Sequence, residues 1–208
     1  MLFRSFPLKA PAEVIAKYRG RYKAGWDKLR AERHARQIEM GLVDPKWPLS
    51  PRPEEVAAWE SLSPEDQDRF DHMMATYAAM LDCVDQSVGR MVAGLKERGM
   101  LDDTLILFLS DNGGNAEGGP RGITQGGEIG SADSNVFLGM SWATLNNTPF
   151  RRYKHFTHEG GISTPLIAHW PAGIPASRRG GLEHQPGHLV DVMATCVDRK
   201  STRLNSSH

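Results

Sequence analysis

The sequence predicts an α/β fold, because a long amphipathic helix, a short turn and a buried strand follow one another in mid-chain. Ser63 fits the N-cap and Pro64 the first turn of this helix. Its methionine, aromatic and other apolar residues recur at three- and four-residue steps up to Gly99. They form a stripe along one face of the helix, which is predicted to be core packing. Leu105–Leu109 is a continuous apolar run, typical of a strand covered on both faces in a parallel sheet. A second strand is predicted at Thr164–Trp170.

The composition of each remaining segment predicts its structure. Pro11–Tyr22 and Gly25–Met40 are charged, with apolar residues at loose helical spacing, and are predicted to be surface helices. Four prolines make Asp44–Glu54 extended or turning. Glycine, serine and asparagine dominate Gly113–Asn147 without a period, so we expect a long irregular segment, which is often functional. His188–Val197 is predicted to open a helix.

The overall composition excludes several classes of partner. Lysine plus arginine and aspartate plus glutamate both number 25 in the 208 residues, so no global field favours nucleic acid. No apolar run approaches the roughly 20 residues that span a bilayer. We therefore expect a soluble protein without a nucleic-acid or membrane partner; the sequence predicts neither its compartment, cytoplasmic or periplasmic, nor its oligomeric state. Cys83 and Cys196 match neither a disulfide framework nor a zinc pattern and are expected in the core.

Asp111 and Asn112 lie just beyond the end of the first predicted strand, after Ser110, where ligands bind in open α/β sheets. A carboxylate and a side-chain amide are hard oxygen donors suited to Ca²⁺ or Mg²⁺. The glycines that begin with Gly113 allow close backbone approach. Asn-Gly is also a strong turn signal. From these residues alone, both a metal site and a plain turn stay open.

A second group of polar residues, YKHFTHEGG, runs from Tyr153 to Gly161 ahead of the second strand. Lys154, in a loop before a strand, can place its ammonium on a sulfate or phosphate group. The alternative is an ordinary solvated lysine. His155 and His158 lack a partnered metal motif, so they are interpreted as orienting or structural.

Four segments together resemble the sulfatase family, particularly bacterial arylsulfatases. FPLKAP, AKYRGRYKAGWDKLRAER, MMATYAAMLDCVDQSVGRMVAGLKERGMLDDTLILFLSDNG and NTPFRRYKHFTHEGGISTPLIAHWP follow the order seen in those enzymes, across most of Phe6–Val197. The resemblance implies an alkaline-phosphatase-like α/β/α sandwich with a mixed, mostly parallel sheet. This chain would form part of that domain.

The resemblance also implies roles for individual residues. Asp111 and Asn112 would supply two ligands of a divalent cation, usually Ca²⁺, with Mg²⁺ as the alternative. Lys154 would contact the sulfate group and help to stabilise the leaving oxygen. The residues implied to be structural near the site are Gly113, His158, Glu159, Gly160 and Gly161. The implied reaction converts an aryl sulfate-type ester, on a small molecule or a glycan, to an alcohol or phenol and sulfate.

The nucleophile of the family is a formylglycine made from cysteine or serine in a Cys-x-Pro-x-Arg frame. Neither Cys83 nor Cys196 matches that frame, so we expect the formylglycine upstream and this chain alone to be inactive. Two alternatives stay open. One is a phosphonate or phosphate monoester hydrolase of the same superfamily, and the other is a non-catalytic remnant or carbohydrate-binding module.

Both ends of the chain resemble translated sequencing adapter. The final DRKSTRLNSSH has no hydrophobic period, and both it and the opening MLFRS can be encoded by a common library adapter. We therefore expect residues 1–5 and 198–208 to be adapter-derived. Residues 6–197 would be the central and C-terminal part of a sulfatase catalytic domain. Ser5 stands where the family commonly has a histidine that contacts sulfate.

Overall fold

The computed structural model describes the backbone of residues 7–205 and the side chains of residues 7–198. Of the ends that we expect to be adapter-derived, residues 1–5, including Ser5, and residues 206–208 lie outside the described residues. The helices are α1 (Ala12–Ala16), α2 (Gly25–Glu39), α3 (Pro64–Glu97), α4 (Gly139–Asn146), α5 (Glu159–Ile162) and α6 (Leu189–Asn205). The strands are β1 (Ile106–Leu109), β2 (Ile123–Gln125), β3 (Asn135–Phe137) and β4 (Leu166–His169).

Helix α3 begins where the sequence predicts. Ser63 Oγ accepts a hydrogen bond from the backbone N–H of Asp66 at 3.1 Å, which caps the first turn. Phe70 and Met73 in the first half are buried, whereas Met91 in the second half is 48% exposed. The predicted stripe is therefore core packing over the first half of the helix, and the prediction is wrong for the second half.

The core is an aromatic cluster contributed by α2, α3, α4 and the short turn at Trp59. The ring of Trp26 lies edge-on to Trp59 at 4.8 Å between centroids and to Phe70 at 5.0 Å. Trp142 packs edge-on against the same ring at 5.3 Å. Trp26 Nε1 donates to the carbonyl oxygen of Ala57 at 3.1 Å, so burial leaves no unpaired indole N–H. The prediction of a surface helix is thus wrong for this face of α2.

A buried carboxylate fixes the turn between α1 and α2. Asp71 is fully buried and accepts hydrogen bonds from the backbone N–H groups of Gly20 at 2.8 Å and Tyr22 at 3.0 Å. The guanidinium of Arg19 pairs with the same carboxylate. Gly20 has a φ of 83°, which glycine adopts without strain. Helix α1 therefore ends at Ala16, earlier than predicted.

Strands β1 and β4 form an antiparallel pair, with Ile106 opposite His169 and Leu109 opposite Leu166. Both strands lie where predicted, but β2 and β3 are also antiparallel, so the described residues contain no parallel pair. The prediction that β1 is covered on both faces is wrong, because β4 is exposed throughout and Phe108 is 48% exposed. Antiparallel pairing places the residues after Leu109 beside those before Leu166.

The segment predicted to be irregular contains regular structure. Strands β2 and β3 form a hairpin, and helix α4 follows and packs against α2. Trp142, Ala143 and Leu145 are all buried in α4, together with the small polar residues between them. Because α4 has no exposed polar face, it lacks the amphipathic period by which a helix is recognised in a sequence.

The chain after β4 is largely exposed. Helix α6 starts at Leu189, close to the predicted start, and continues through Val197 to Asn205. Cys196 is exposed and Cys83 is half-buried, so the prediction of a core cysteine is wrong for Cys196. Among residues 7–205 no helix is both long and apolar enough to cross a membrane.

Candidate active site

Two distant segments meet at the end of the β1–β4 pair. The first is the turn that follows β1. Ser110 Oγ donates to the carbonyl oxygen of Asn112 at 2.8 Å, and the carbonyl oxygen of Ser110 accepts from Thr164 Oγ1 at 2.7 Å. Asp111 is exposed and Asn112 is half-buried. The turn is therefore tied to the residues before β4 while the Asp111 carboxylate stays accessible.

The second segment is the loop after α4 that contains Lys154. The backbone N–H of Lys154 donates to the carbonyl oxygen of Gly114 at 3.1 Å. The neighbouring Tyr153 is buried, and its hydroxyl lies 2.7 Å from Thr144 Oγ1 in α4. His155 has a positive φ of 78°, a backbone conformation that is uncommon outside glycine and is concentrated at functional sites. The loop is thus held by the core on one side and by the turn on the other.

Glycines allow these two segments to touch. The backbone N–H of Gly113 donates to the carbonyl oxygen of Gly161 at 3.0 Å. A Cβ atom on Gly113 would lie 1.7 Å from the carbonyl oxygen of Gly160, and one on Gly161 would lie 2.0 Å from that of Phe156. No side chain fits at either distance. The close approach therefore requires glycine at these positions, while the roles predicted for Gly113, Gly160 and Gly161 beside an active site stay predictions.

His158 and Glu159 begin the short helix α5. The carbonyl oxygen of His158 accepts from the backbone N–H of Gly161 at 2.7 Å, and that of Glu159 accepts from Ser163 at 2.8 Å. Both side chains are exposed. Their backbones shape the turn that contacts Gly113, and the structural role predicted for both residues stays a prediction.

Asn147, directly after α4, joins the two segments through its side-chain amide. Its Oδ1 accepts from the backbone N–H of Gly114 at 2.8 Å, and its Nδ2 donates to the carbonyl oxygen of Arg152 at 2.9 Å. Asn147 is 9% exposed, so both bonds are shielded from water. The sequence did not reveal this residue, because α4 itself was not predicted. Asparagine at a helix C-terminus was the available signal.

Glu117 places a carboxylate beside the two basic side chains of the loop. Its Oε1 lies 3.6 Å from Lys154 Nζ and 3.2 Å from His155 Nε2. The hydrogen bond with His155, together with the charge of Lys154, lowers the pKa of the Glu117 carboxyl group below its ordinary value. No sequence signal identified Glu117, because nothing in its glycine-rich surroundings indicates that the chain folds back onto Lys154.

A cleft of about 650 Å³ lies between the proline-rich segment and the loop after α4. Its lining includes Trp47, Phe150 and Arg151, and also His158 and Glu159 of the α5 turn. The rings of Trp47 and Phe150 lie 5.9 Å apart between centroids. The cleft is of the size that holds small-molecule ligands, with the aromatic and polar lining common in such sites.

The cation predicted at Asp111 and Asn112 finds suitable donor atoms, but few of them. A carboxylate and an amide oxygen suit Ca²⁺ or Mg²⁺, yet Ca²⁺ takes about six to eight oxygen ligands. In the part of the chain that the structure describes, no group of three or more histidine, cysteine, aspartate or glutamate side chains could hold a metal ion. The two residues therefore fit part of a cation site.

Comparison with known proteins points to one family. The sequence model of the sulfatase family matches residues 5–199. A sulfatase of Schizosaccharomyces pombe, itself uncharacterized, is 34% identical over 216 residues, which cover 96% of this chain and 36% of that protein. An arylsulfatase of Klebsiella aerogenes is 33% identical over 212 residues, which cover 97% of this chain and 45% of the enzyme. The chain thus spans less than half the length of these relatives.

A solved structure also aligns with part of the chain. The crystal structure of Ps i-CgsB in complex with k-i-k-neocarrahexaose is 28% identical and covers 73% of this chain and 29% of its own, with a TM-score of 0.35. An overlap with so low a TM-score supports no conclusion about the described fold.

Proposed function

This chain belongs to the sulfatase family, and from that premise we propose that it is part of an enzyme that hydrolyses sulfate esters to an alcohol or phenol and inorganic sulfate. Family membership also implies an α/β fold of the alkaline-phosphatase type. The mixed, mostly parallel sheet expected from the sequence stays a prediction.

The observation that supports this proposal most strongly is the direct contact between the turn after β1 and the Lys154 loop. Two backbone hydrogen bonds join them, from Gly113 to Gly161 and from Lys154 to Gly114. The side chain of Asn147 adds two more. Residues proposed to bind the cation and the sulfate group are therefore attached to one unit, although they are far apart in the sequence.

Lys154 is proposed to bind the sulfate group and to stabilise charge on the leaving oxygen. Its ammonium is a compact positive charge on a flexible stem, and its side chain is 27% exposed. Partial burial reduces screening by salt and water. Positive charge held in place before the reaction is often the largest contribution to catalysis, and removing one such contact typically lowers the rate about a hundredfold or more.

Asp111 and Asn112 are proposed to hold a divalent cation, Ca²⁺ in the first place and Mg²⁺ as the alternative. When bound, such a cation supplies positive charge that stabilises the sulfuryl oxygens. The exposed carboxylate of Asp111 and the half-buried amide of Asn112 support this role. The remaining oxygen ligands of the cation would have to come from groups other than Asp111 and Asn112.

The nucleophile is not assigned to any residue of this chain. A formylglycine would supply the oxygen that attacks sulfur, but Cys83 and Cys196 lie in helices and match no Cys-x-Pro-x-Arg frame. We therefore expect the 208-residue chain to release no sulfate from an aryl sulfate. Turnover by the purified chain would contradict this part of the proposal.

The cleft beside α5 supports an aryl sulfate-type ester as the substrate class. Trp47 and Phe150 offer ring surfaces on which a planar aromatic alcohol can stack. Trp47 is 50% exposed, so its ring is accessible. His158 and Glu159 line the same cleft and directly precede Gly160, which contacts Gly113. The alcohol part of the ester would lie in this cleft.

A chimera tests the proposed activity. Residues 6–197 replace the matching segment of the Klebsiella aerogenes arylsulfatase, and hydrolysis of 4-nitrophenyl sulfate is measured. We expect the chimera to be active and Lys154→Ala to lower kcat/KM about a hundredfold or more. Lys96→Ala, in the exposed last turn of α3, is the matched control and should change nothing. A Lys154→Ala chimera as active as its parent would refute the proposal.

The same chimera tests the substrate class. Trp47→Ala should raise KM for 4-nitrophenyl sulfate about tenfold, because one pocket contact is lost. A sulfated monosaccharide, which has no aromatic ring to stack, should be less affected. Equal losses for both esters would favour a glycan substrate over an aryl one.

A further inference from the structure

The proposed chemistry gives no role to Glu117, yet this carboxylate lies next to Lys154. One oxygen, Oε1, is 3.6 Å from the ammonium nitrogen of Lys154 and 3.2 Å from Nε2 of His155. Two neighbouring basic side chains therefore share one carboxylate oxygen.

The backbone of Glu117 is itself held in place by the side chain of Asn115. Its N–H donates to Oδ1 of Asn115 at 2.7 Å, and Asn115 is 8% exposed. On the other side, Lys154 is fixed by its backbone bond to Gly114, and His155 adopts a positive φ. The carboxylate and the two basic groups thus start from fixed backbone positions on facing loops.

Stability alone does not account for this arrangement. The side chain of Glu117 is 35% exposed and that of His155 is 66% exposed, and exposed ion pairs contribute little to folding. The contact instead restricts the direction in which the Lys154 side chain points. The four-carbon stem of Lys154 has many rotamers, and a carboxylate beside its end selects among them.

We infer that Glu117 is a positioning residue, which orients the ammonium of Lys154 beside the imidazole of His155 before the sulfate group arrives. This inference rests on the proposed function of Lys154 as the sulfate contact. It does not depend on which alcohol the ester contains.

Removal of the Glu117 charge should have an effect that simple structural damage would not produce. The Glu117 carboxylate repels an anionic sulfate group while it orients the lysine. Replacing it with a neutral amide should therefore strengthen the binding of inorganic sulfate, by roughly twofold to fivefold, the size typical of exposed charge pairs. A variant that had only lost local structure would bind sulfate more weakly.

The experiment measures the reactivity of Lys154 in the full 208-residue chain. The chain is acetylated with an N-hydroxysuccinimide ester at constant pH, and the rate at each lysine is read by peptide mass spectrometry. In Glu117→Gln the ammonium group of Lys154 loses the carboxylate 3.6 Å away that restrains it, so the side chain reaches the reagent more freely and we expect its acetylation to become roughly twofold to fivefold faster. Glu128→Gln, an exposed carboxylate in the same glycine-rich segment, is the control and should leave the rate unchanged.

A measurement on the unmodified chain needs no variant. About 1 M sodium chloride shortens the screening length to about 3 Å and weakens the Glu117–Lys154 pair. Acetylation of Lys154 should then accelerate towards the rate of Glu117→Gln, while the variant itself should respond little. A Lys154 rate that changes neither with salt nor in Glu117→Gln would overturn the inference.

Inorganic sulfate separates this inference from the proposed function. Sulfate should protect Lys154 from acetylation, with half-protection at a roughly twofold to fivefold lower concentration in Glu117→Gln. Sulfate that protects the parent and the variant equally would overturn the inference alone. Faster acetylation in the variant with no protection by sulfate in either chain would leave the pairing intact and refute sulfate binding by Lys154.

Discussion

The aromatic core and the β1–β4 pair differ in how they are held together. In the core, Trp26 and Trp142 are buried, their rings pack edge-to-face, and each indole N–H is paired. In the strand pair, β4 is exposed along its whole length, and Phe108 of β1 is half exposed. We infer that the stability of the described chain resides in the helices, whereas the strands contribute mainly by bringing two loops together.

The candidate site lies at the boundary between these two regions. Asp111 and Asn112 follow the exposed strand β1, while Lys154 follows Tyr153, which is buried against α4. Asn147 connects the two sides. The core can therefore hold the turn in place even though its own strand is weakly packed.

The largest expected difference between the regions is in unfolding free energy. Trp142 is fully buried and its Nε1 donates to the carbonyl oxygen of Phe70 at 3.0 Å. Trp142→Ala should lower the unfolding free energy by about 3–5 kcal/mol in urea titrations followed by circular dichroism. Ile167→Ala, in β4 at 62% exposure, should change it by less than about 0.5 kcal/mol. Comparable losses of unfolding free energy in the two variants would mean that the strands contribute as much to stability as the core does.

The contact between the loops should be sensitive to a single methyl group. Gly113→Ala places a Cβ atom 1.7 Å from the Gly160 carbonyl oxygen, so the backbone must shift, which should cost about 1–3 kcal/mol. Gly89→Ala is the matched control, because nothing lies within 4 Å of its Cβ position in α3. That change should stabilise the chain by about 0.5–1 kcal/mol, as alanine is the better helix former. Thermal unfolding of the two variants should shift in opposite directions.

The two side-chain hydrogen bonds of Asn147, which we call the Asn147 bridge, should contribute less to the unfolding free energy than a core residue but more than a surface residue. Asn147→Ala leaves the N–H of Gly114 without its side-chain acceptor, and we expect a loss of about 1–2 kcal/mol. Asn146→Ala, one residue earlier at the end of α4, is the control and should be closer to neutral. Urea titration of both variants measures the difference. Equal effects would show that the bridge is not energetically distinct.

The smallest expected effect is the dependence of core stability on pH. Burial, followed by the charge of Arg19, lowers the pKa of His72 from its ordinary value of 6.5. The folded state then favours neutral His72. The contribution of this residue to the free energy of unfolding is therefore complete above about pH 6.5 and decreases as the pH falls through the lowered pKa. His72→Gln should flatten this part of the stability profile. A profile that keeps its slope in the variant would assign the dependence to another group.

Sequence patterns predicted those elements whose signal is local. The Ser63 cap, the apolar run of β1 and the strand at Leu166–His169 each follow from a few adjacent residues, and all are confirmed. Helix α4 escaped prediction because it is buried nearly all round and lacks a period. The antiparallel partner of β1 could not be predicted either, because strand pairing depends on residues far apart in the chain.

The residues of the candidate site also fall into those with a local sequence signal and those without one. Residue type and position after a strand made Asp111 and Asn112 candidate cation ligands, and the loop before β4 made Lys154 a candidate sulfate contact; these roles stay predictions. Glu117 and Asn147 act through contacts with residues 38 and 33 positions away, and no local pattern reports such contacts. Their places follow only from the folded backbone.

The turn after β1 and the Lys154 loop form one fixed unit. Amide hydrogen exchange of the 208-residue chain, resolved at Gly113 and Lys154, tests it directly, because both N–H groups donate across the contact. We predict that both amides are protected to a similar degree and that Gly113→Ala removes the protection of Lys154 as well. Exchange at unprotected rates in the parent chain, or loss of protection at Gly113 alone in the variant, would show that the two segments move independently.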